Sequence, residues 1–431
     1  MAKEKLKHLD LDIYKETLSN GLTIYICPMN RNDTHASIST KFGNDILEFK
    51  PIGKKDFITI PTGTAHFLEH KMFAKEDGPD PMSVFAANGA YSNAYTSSKI
   101  TRYYFTGASH FYENLKTLLD CITKPYFTKE NIAKEQGIIG QEIKAGLDDP
   151  GHMLYFTAIK GIFNNHPHKF PVFGYQNTID KLTEEILYDT YNTFYHPSNM
   201  FMTITGNVDY DKAMTFIKNY FKEKNYQDNF KIIQKKYNEP TKVSIERQEV
   251  NMDVTNKLMT LSYKLKPDFD KFKSRTYLYI YLNMLFGPVS DFYNENFKDK
   301  NSLTDVTYYL ESVDDFLIIN FDIEVLENEK IITKIDKLLS SKKLKEEDFN
   351  LFIKNILNDL ILTTENVLNM ANLITNQVIE YNDFYTNIYE KYQKLNYNEF
   401  KEYINSLDFT NHTLSIIKKD KAWFLYKNMI N

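Results

Sequence analysis

The sequence predicts an α+β protein made of two related α/β sandwich domains, in each of which a sheet packs against helices. The chain has 431 residues, which is long for one hydrophobic core. Short β-rich runs alternate with longer stretches of helical periodicity. The order of these elements is roughly the same in the two halves, which predicts a pseudo-repeat of about 200 residues per domain.

The first half begins with predicted strands over 13–18, 22–27 and 35–42, the first two joined by the hairpin signal Asn20-Gly21. Helices are predicted over 64–73, with Thr64 as N-cap, and over 81–88. A strand pair follows at 91–96 and 99–106. The remaining elements are helices over 111–122, 128–146, 153–163, 184–194 and 210–221 and a strand over 200–205.

The second half follows a polar stretch rich in Lys, Asn and Gln that ends at Pro240 and predicts a linker. The predicted domains are therefore residues 1–225, the linker 226–241, and residues 242–431. Strands are predicted over 242–250, 257–265, 304–311, 316–325 and 413–418. Helices are predicted over 274–286, 290–297, 327–339, 346–362, 366–380 and 384–406.

Composition excludes several classes of function. A net charge of -5 with 25% charged residues gives no basic surface typical of nucleic-acid binding. The only cysteines are Cys27 and Cys121, too few for a zinc-thiolate site or a disulfide framework. No apolar run is long enough for a spanning helix, and the N-terminus lacks the apolar core of a signal peptide. We therefore expect a cytoplasmic protein with no membrane and no nucleic-acid partner.

The helix predicted over 64–73 carries the pattern His-x-x-Glu-His at residues 66–70. His66, Glu69 and His70 share one face, because positions i, i+3 and i+4 are neighbours on a helix. Two imidazoles one turn apart can hold one metal ion, and a carboxylate between them can act as a base beside it. This arrangement is typical of a zinc hydrolase.

A zinc site of this kind needs a third protein ligand. The helix predicted over 128–146 offers Glu130, Glu135 and Glu142. Glu135 and Glu142 are seven residues apart and share a helix face. One of them could bind the metal, and the other could hold the second nitrogen of a histidine.

The motif at 66–70, followed by Glu135-Gln-Gly-Ile-Ile-Gly-Gln-Glu142-Ile143 and Asp148-Asp149-Pro150, resembles the pitrilysin/insulinase family of inverted-motif zinc peptidases. The resemblance is greatest to short bacterial subunits of the processing-peptidase branch. It implies that the chain forms half of a clamshell, binds one Zn²⁺, and hydrolyses peptides or unfolded protein segments.

Each site residue takes a role from this resemblance. His66, His70 and Glu142 correspond to the zinc ligands, Glu69 to the general base, and Glu135 to the supporting carboxylate. The resemblance also implies that a peptide substrate lies as an added strand along the segment that contains Asn93, Ala94, Tyr95 and Thr96.

The chain departs from the family in its second half. Active single-chain members carry an Arg and a Tyr there, whereas the best alignment places Lys298 and Asp305 at those positions. A paralogous partner subunit could supply both residues in a heterodimer, which we favour, or two copies of this chain could form a homodimer. The alternative function is a non-catalytic peptide-binding or scaffold subunit that has kept the peptidase fold.

Overall fold

A computed structural model describes residues 2–6, 8–222, 224, 226, 231–298, 303–325 and 329–419. The strands are β1 Ala2–Leu6, β2 Leu11–Thr17, β3 Thr23–Pro28, β4 Thr34–Thr40, β5 Glu48–Lys50, β6 Ile58–Thr59, β7 Tyr91–Thr96, β8 Thr101–Gly107, β9 Met200–Gly206, β10 Ile233–Gln234, β11 Arg247–Met252, β12 Lys257–Leu265, β13 Leu303–Val313, β14 Phe316–Val325 and β15 His412–Lys419.

The helices are α1 Thr64–Lys71, α2 Pro81–Ala87, α3 Phe111–Thr123, α4 Lys129–Asp148, α5 Pro150–Ile162, α6 Gln176–Ile179, α7 Glu184–Phe194, α8 Tyr210–Lys222, α9 Lys271–Phe286, α10 Asp291–Lys298, α11 Lys330–Ser341, α12 Glu346–Thr363, α13 Val367–Tyr381, α14 Ile388–Gln393 and α15 Tyr397–Ser406. No helix within the described ranges is both long and apolar enough to cross a bilayer.

The first large sheet has seven strands in the order β1-β2-β3-β9-β4-β8-β7. Successive side chains along a strand point to opposite faces of a sheet, and in this sheet they pack into two different hydrophobic cores. Ile24 and Ile26 of β3 join the cluster that includes apolar residues of α1, α3 and α7. Tyr25 and Cys27 point to the opposite face, where they join the cluster that includes residues of α13. Helices therefore cover both faces of the sheet.

The second large sheet has the order β11-β15-β12-β14-β13. Its first two strands are parallel, and the remaining neighbours are antiparallel. The same order and directions occur in β3-β9-β4-β8-β7 of the first sheet. This shared topology confirms the predicted α+β class, with sheets packed against helices, and supports the predicted pseudo-repeat.

Two compact units divide the chain differently from the predicted domains. One contains Met1–Ile143, Pro171–Lys236 and Asp359–Tyr389, and the other contains Lys144–Phe170, Tyr237–Asn358 and Glu390–Asn431. Each half of the sequence thus contributes one helix to the other unit. The apolar side of α13 packs on the first sheet at Tyr25 and Phe201, and that of α5 packs on the second sheet, where Leu154 joins Ile417.

Most element predictions are confirmed to within a few residues, but three need correction, and several short elements were not predicted. The linker contains β10, which pairs with β5, although residues 227–230 of it lie outside the described ranges. The strand predicted at 242–250 is β11, five residues later at its start. The helix predicted at 384–406 is two helices, because the Asn396 side chain caps a new helix, α15. Strand β1 was not predicted; it pairs with β2.

Candidate metal centre

Helix α1 presents the His-x-x-Glu-His residues because its start is fixed by a glycine. Gly63 is the N-cap, with φ of 90°, a conformation that L side chains rarely adopt. A Cβ at this position would lie 2.5 Å from the carbonyl oxygen of Phe173. The predicted N-cap, Thr64, is instead the first helical residue, and its hydroxyl donates to the Pro61 carbonyl at 2.6 Å.

Helix α4 supplies the acidic residues. Its start follows the prediction, because the Thr128 hydroxyl accepts the backbone N–H of Asn131 at 3.2 Å. Ile139 and Ile143 are buried in the first core, which fixes the rotation of the helix. Glu135 and Glu142 consequently face the two histidines of α1.

The structure brings His66, His70 and Glu142 together. His66 Nε2 lies 3.5 Å from one Glu142 oxygen, and His70 Nε2 lies 3.7 Å from the other. One ligand atom from each of the three residues falls within 4.8 Å of the others. These contacts are longer than ordinary N–H···O hydrogen bonds, so the three groups converge without closing on one another.

This spacing fits a zinc ion. Ligand atoms at about 2.0–2.2 Å from zinc, in tetrahedral arrangement, lie roughly 3.4 Å apart. Two imidazoles and one carboxylate are also the donor set of one class of catalytic zinc site, which leaves a fourth position for water or substrate. The Glu142 side chain is 47% exposed, so the cluster is open to solvent on one side.

Glu135 contacts one ring nitrogen of His70. His70 Nδ1 lies 3.0 Å from Glu135 Oε1, which leaves Nε2 directed at Glu142. The other Glu135 oxygen is 3.7 Å from Lys71 Nζ, and that ammonium donates to the Asn131 carbonyl at 3.2 Å. Lys71 is buried and links α1 to α4 through these contacts.

The charges of the cluster favour a cation. Burial alone would lower the pKa of His70, but the hydrogen bond and charge of Glu135, with the charges of Glu69 and Glu142, raise it. The His66 imidazole lowers the pKa of the Glu142 carboxyl against the effect of burial. Burial raises the pKa of Glu135, and the neighbouring His70 and Lys71 lower it by more. The carboxylates are thus held ionised around the point where the imidazoles converge.

Glu69 lies beside the cluster without joining it. Its side chain is only 9% exposed, and one carboxylate oxygen accepts a 2.7 Å hydrogen bond from Thr96 at the end of β7. A carboxylate in this position can take a proton from a water molecule bound between the histidines.

The four predicted substrate-binding residues divide between the two faces of β7. Asn93 and Tyr95 are exposed on one face. Ala94 packs against the first core on the other face, and Thr96 contacts Glu69 there. Strand β7 is the last strand of its sheet, so in the described part of the chain its outer edge pairs with no strand.

Sequence reasoning missed the buried hydroxyl groups behind Glu69. Tyr103 and Tyr195 are both buried, with their hydroxyl oxygens 2.8 Å apart. Burial raises the pKa of each phenol, and the nearby charge of Glu69 adds to the effect. The sequence predicted a strand over 99–106, but nothing in it indicated that Tyr103 meets Tyr195.

The alignment places Lys298 and Asp305 at the positions of the family's Arg and Tyr. Lys298 ends α10 and Asp305 belongs to β13, but their side chains lie outside the described part of the structure. The two tyrosines nearby in β13, Tyr308 and Tyr309, belong to the second unit.

Comparison with known proteins shows the family to which the chain belongs. Residues 61–173 match the profile described as Insulinase (Peptidase family M16), and residues 181–355 match that described as Peptidase M16 inactive domain. The uncharacterized zinc protease YmfH of Bacillus subtilis is 37% identical over 289 residues, covering 66% of this chain and 67% of the relative. An uncharacterized zinc protease of Rickettsia felis is 29% identical over 209 residues, covering 47% and 48%.

Solved structures share the fold over nearly the whole chain. An M16-like peptidase from Alicyclobacillus acidocaldarius has a TM-score of 0.89 at 25% identity, covering 96% of this chain and 99% of its own. A protease from Helicobacter pylori has a TM-score of 0.81 at 19% identity, covering 94% and 99%. At that identity the second likeness speaks for the fold alone.

Proposed function

Because the chain belongs to the insulinase family of peptidases, family M16, we propose that it is a zinc-dependent metalloendopeptidase subunit acting on peptides or unfolded protein segments. The observation that carries the proposal is the convergence of His66, His70 and Glu142 beside the buried carboxylate of Glu69. Relatives named zinc proteases support the choice of metal.

In this proposal His66, His70 and Glu142 hold one Zn²⁺ per chain. When bound, the ion supplies Lewis acidity to the scissile carbonyl and lowers the pKa of water to about 7. Glu69 takes the proton of the attacking water and returns it to the leaving amine. Glu135 keeps His70 in the tautomer that offers Nε2 to the metal, through its 3.0 Å contact with Nδ1.

The substrate is proposed to add as a strand to the outer edge of β7. Backbone hydrogen bonds along an edge strand bind an extended peptide with little demand on its sequence. Asn93, Ala94, Tyr95 and Thr96 lie along this edge. Folded proteins rarely offer a free extended segment, which is why the proposed substrates are peptides and unfolded segments.

We further propose that a paralogous partner subunit supplies the Arg and Tyr that the alignment does not find in this chain. The loss of one such oxyanion-stabilising group typically costs about 10²–10³ in rate. A homodimer is the alternative arrangement. The expected location is the cytoplasm, as the sequence predicts.

The proposal is tested with purified chain loaded with zinc, alone and with its candidate partner, on an unstructured fluorogenic peptide library. Glu69→Gln should keep one zinc per chain and lose hydrolysis, because the amide cannot accept the proton. Retained hydrolysis in this variant would refute the assigned base. Full zinc content with no hydrolysis by the wild type in either setting would instead favour the non-catalytic peptide-binding or scaffold subunit.

A further inference from the structure

We infer that Thr96 is a positioning residue for the general base, in addition to its place in the proposed substrate-binding strand. This inference rests on the proposed function of Glu69. The Thr96 hydroxyl donates to Glu69 Oε2 at 2.7 Å. Across the described residues, the Glu69 carboxylate accepts no other hydrogen bond. Oε1 is therefore the oxygen left to accept a proton from water.

The hydroxyl of Thr101 is the other group to which Thr96 could donate its proton. Thr101 donates to the backbone carbonyl of Phe42 at 3.0 Å, so its only proton is already used. Thr96 lies 3.4 Å from the Thr101 hydroxyl and 2.7 Å from the Glu69 oxygen. The shorter contact to an ionised group is the stronger, so the Thr96 proton lies on the bond to Glu69.

Thr96 is well placed to hold Glu69, because its own backbone is fixed. It is the last residue of β7 and pairs with Thr101 across the hairpin. The next residue, Ser97, closes the turn by donating its N–H to the Ile100 carbonyl at 2.8 Å. Its side chain also accepts the N–H of Ile100 at 3.2 Å.

A second segment holds the same turn from outside. The N–H groups of Asn44 and Asp45 donate to the carbonyls of Ser97 and Ser98, at 3.1 and 2.8 Å. This approach requires a glycine, because a Cβ at Gly43 would lie 2.4 Å from the Ser97 oxygen. A β-branched threonine on such a backbone has few χ1 choices, whereas a glutamate has three rotatable bonds and needs an external hold.

The consequence concerns kcat more than substrate binding. Thr96→Val keeps the size, the branching and the strand backbone, and it removes only the hydroxyl. The Glu69 carboxylate then loses the hydrogen bond that aims it. Misplacing a catalytic group by about 1 Å can cost about 10² in rate, so we expect kcat to fall by about that factor with KM unchanged.

The experiment compares Thr96→Val, Thr96→Ser and Thr17→Val for kcat, KM and bound zinc, in zinc-loaded full chain with any required partner. Thr96→Ser restores the hydroxyl and should restore kcat. Thr17→Val is the matched control. It removes the hydroxyl of a threonine at the end of β2 in the same sheet, where that hydroxyl contacts Thr23 of β3. All variants should keep full zinc content.

Unchanged kcat in Thr96→Val, or equal losses in Thr96→Val and Thr96→Ser, would overturn the inference. An inactive wild type would instead overturn the proposed function. In that case crystal structures of the zinc-loaded wild type and Thr96→Val decide separately: a Glu69 carboxylate in the same place in both refutes the positioning role, and a displaced one supports it.

Discussion

The two large sheets share a strand order, and the candidate metal centre described above lies on helices that accompany the first. In each half of the chain, a helix follows the central strand of the shared order and comes before the edge strand in sequence. In the first half this helix is α1, between β4 and β7; in the second half it is α9, between β12 and β13. Helix α1 offers His66, Glu69 and His70. Helix α9 has no histidine and buries Tyr277, Leu278 and Tyr281 instead.

The difference shows that topology sets where a helix lies and side chains decide what it does. Helix α4, which faces α1, carries Glu135 and Glu142. Helix α12 holds the same place in the order of the second half, and its middle offers Asn350, Lys354 and Asn358. Because α9 has no histidine, the pair α9 and α12 lacks the motif of the first unit, and no group of potential metal ligands among the described residues includes either helix.

The largest expected effect comes from removing a ligand of the first unit. His66→Ala should abolish zinc binding and hydrolysis together, because two remaining ligands cannot form a catalytic zinc site. Metal content by atomic absorption and peptide hydrolysis measure this. The control is His152→Ala, an exposed histidine of α5 in the second unit, which should change neither. If His66→Ala kept one tightly held zinc per chain, the metal would not be bound at the candidate centre of the first unit.

In the second unit, a substitution in a buried ion pair should change the stability of the protein and not its metal content. Glu239 and Lys264 form a buried ion pair at 2.5 Å, and Glu239 also accepts the N–H groups of Asn164, Asn165 and His166. Glu239→Gln leaves the ammonium buried without its counter-charge, so the free energy of unfolding should fall by about 3–5 kcal/mol. Chemical denaturation measures this, and zinc content should not change.

The matched control for this pair is a carboxylate on the surface. Glu249→Gln weakens contacts with Arg247 and Lys418, whose side chains are exposed, and should lower the free energy of unfolding by less than about 1 kcal/mol. If Glu239→Gln and Glu249→Gln lowered the free energy of unfolding equally, burial would not explain how much the Glu239–Lys264 pair contributes to stability.

The same pair has a defined pH dependence. Burial raises the pKa of Glu239, but three backbone N–H groups and Lys264 lower it by more, so its folded-state value lies below 4.5. A depressed pKa contributes stability above the unfolded value that is lost as pH falls through the folded value. Acid titration of stability should therefore be shallower below pH 4.5 in Glu239→Gln than in the wild type.

The last prediction concerns the residue that supports a candidate ligand. Glu135→Gln should weaken zinc binding by about 10–100-fold, because it removes the negative charge that orients His70 and strengthens it as a donor. Competition with a chelator measures the affinity. Glu130→Gln, in the first turn of the same helix, is the control and should leave the affinity unchanged. An equal loss in both would point to the helix as a whole and not to the contact with His70.

Periodicity and capping residues sufficed to predict most elements, whereas the roles of the site residues came from the family resemblance. The i, i+3, i+4 spacing in α1 is a local property of the chain, and so is the separation of seven between Glu135 and Glu142. Their meeting was predicted from a family resemblance. The structure brings His66, His70 and Glu142 together.

Contacts between residues far apart in sequence could not be predicted in this way. The exchange of α5 and α13 between the units depends on which sheet can bury their apolar sides. The hydrogen bond from Thr96 to Glu69 depends on a hairpin turn that the segment around Gly43 holds in place. The burial of Lys71 likewise depends on its contact with α4, which the local sequence of α1 does not indicate.

The sequence by itself determined the class of fold and the spacing of the candidate metal ligands, because these follow from backbone periodicity. Only the tertiary structure decided which helices cover each sheet and which oxygen of Glu69 accepts the hydrogen bond of Thr96. The reason is that burial and hydrogen bonding between distant segments are set when the chain has folded, and no local pattern records them.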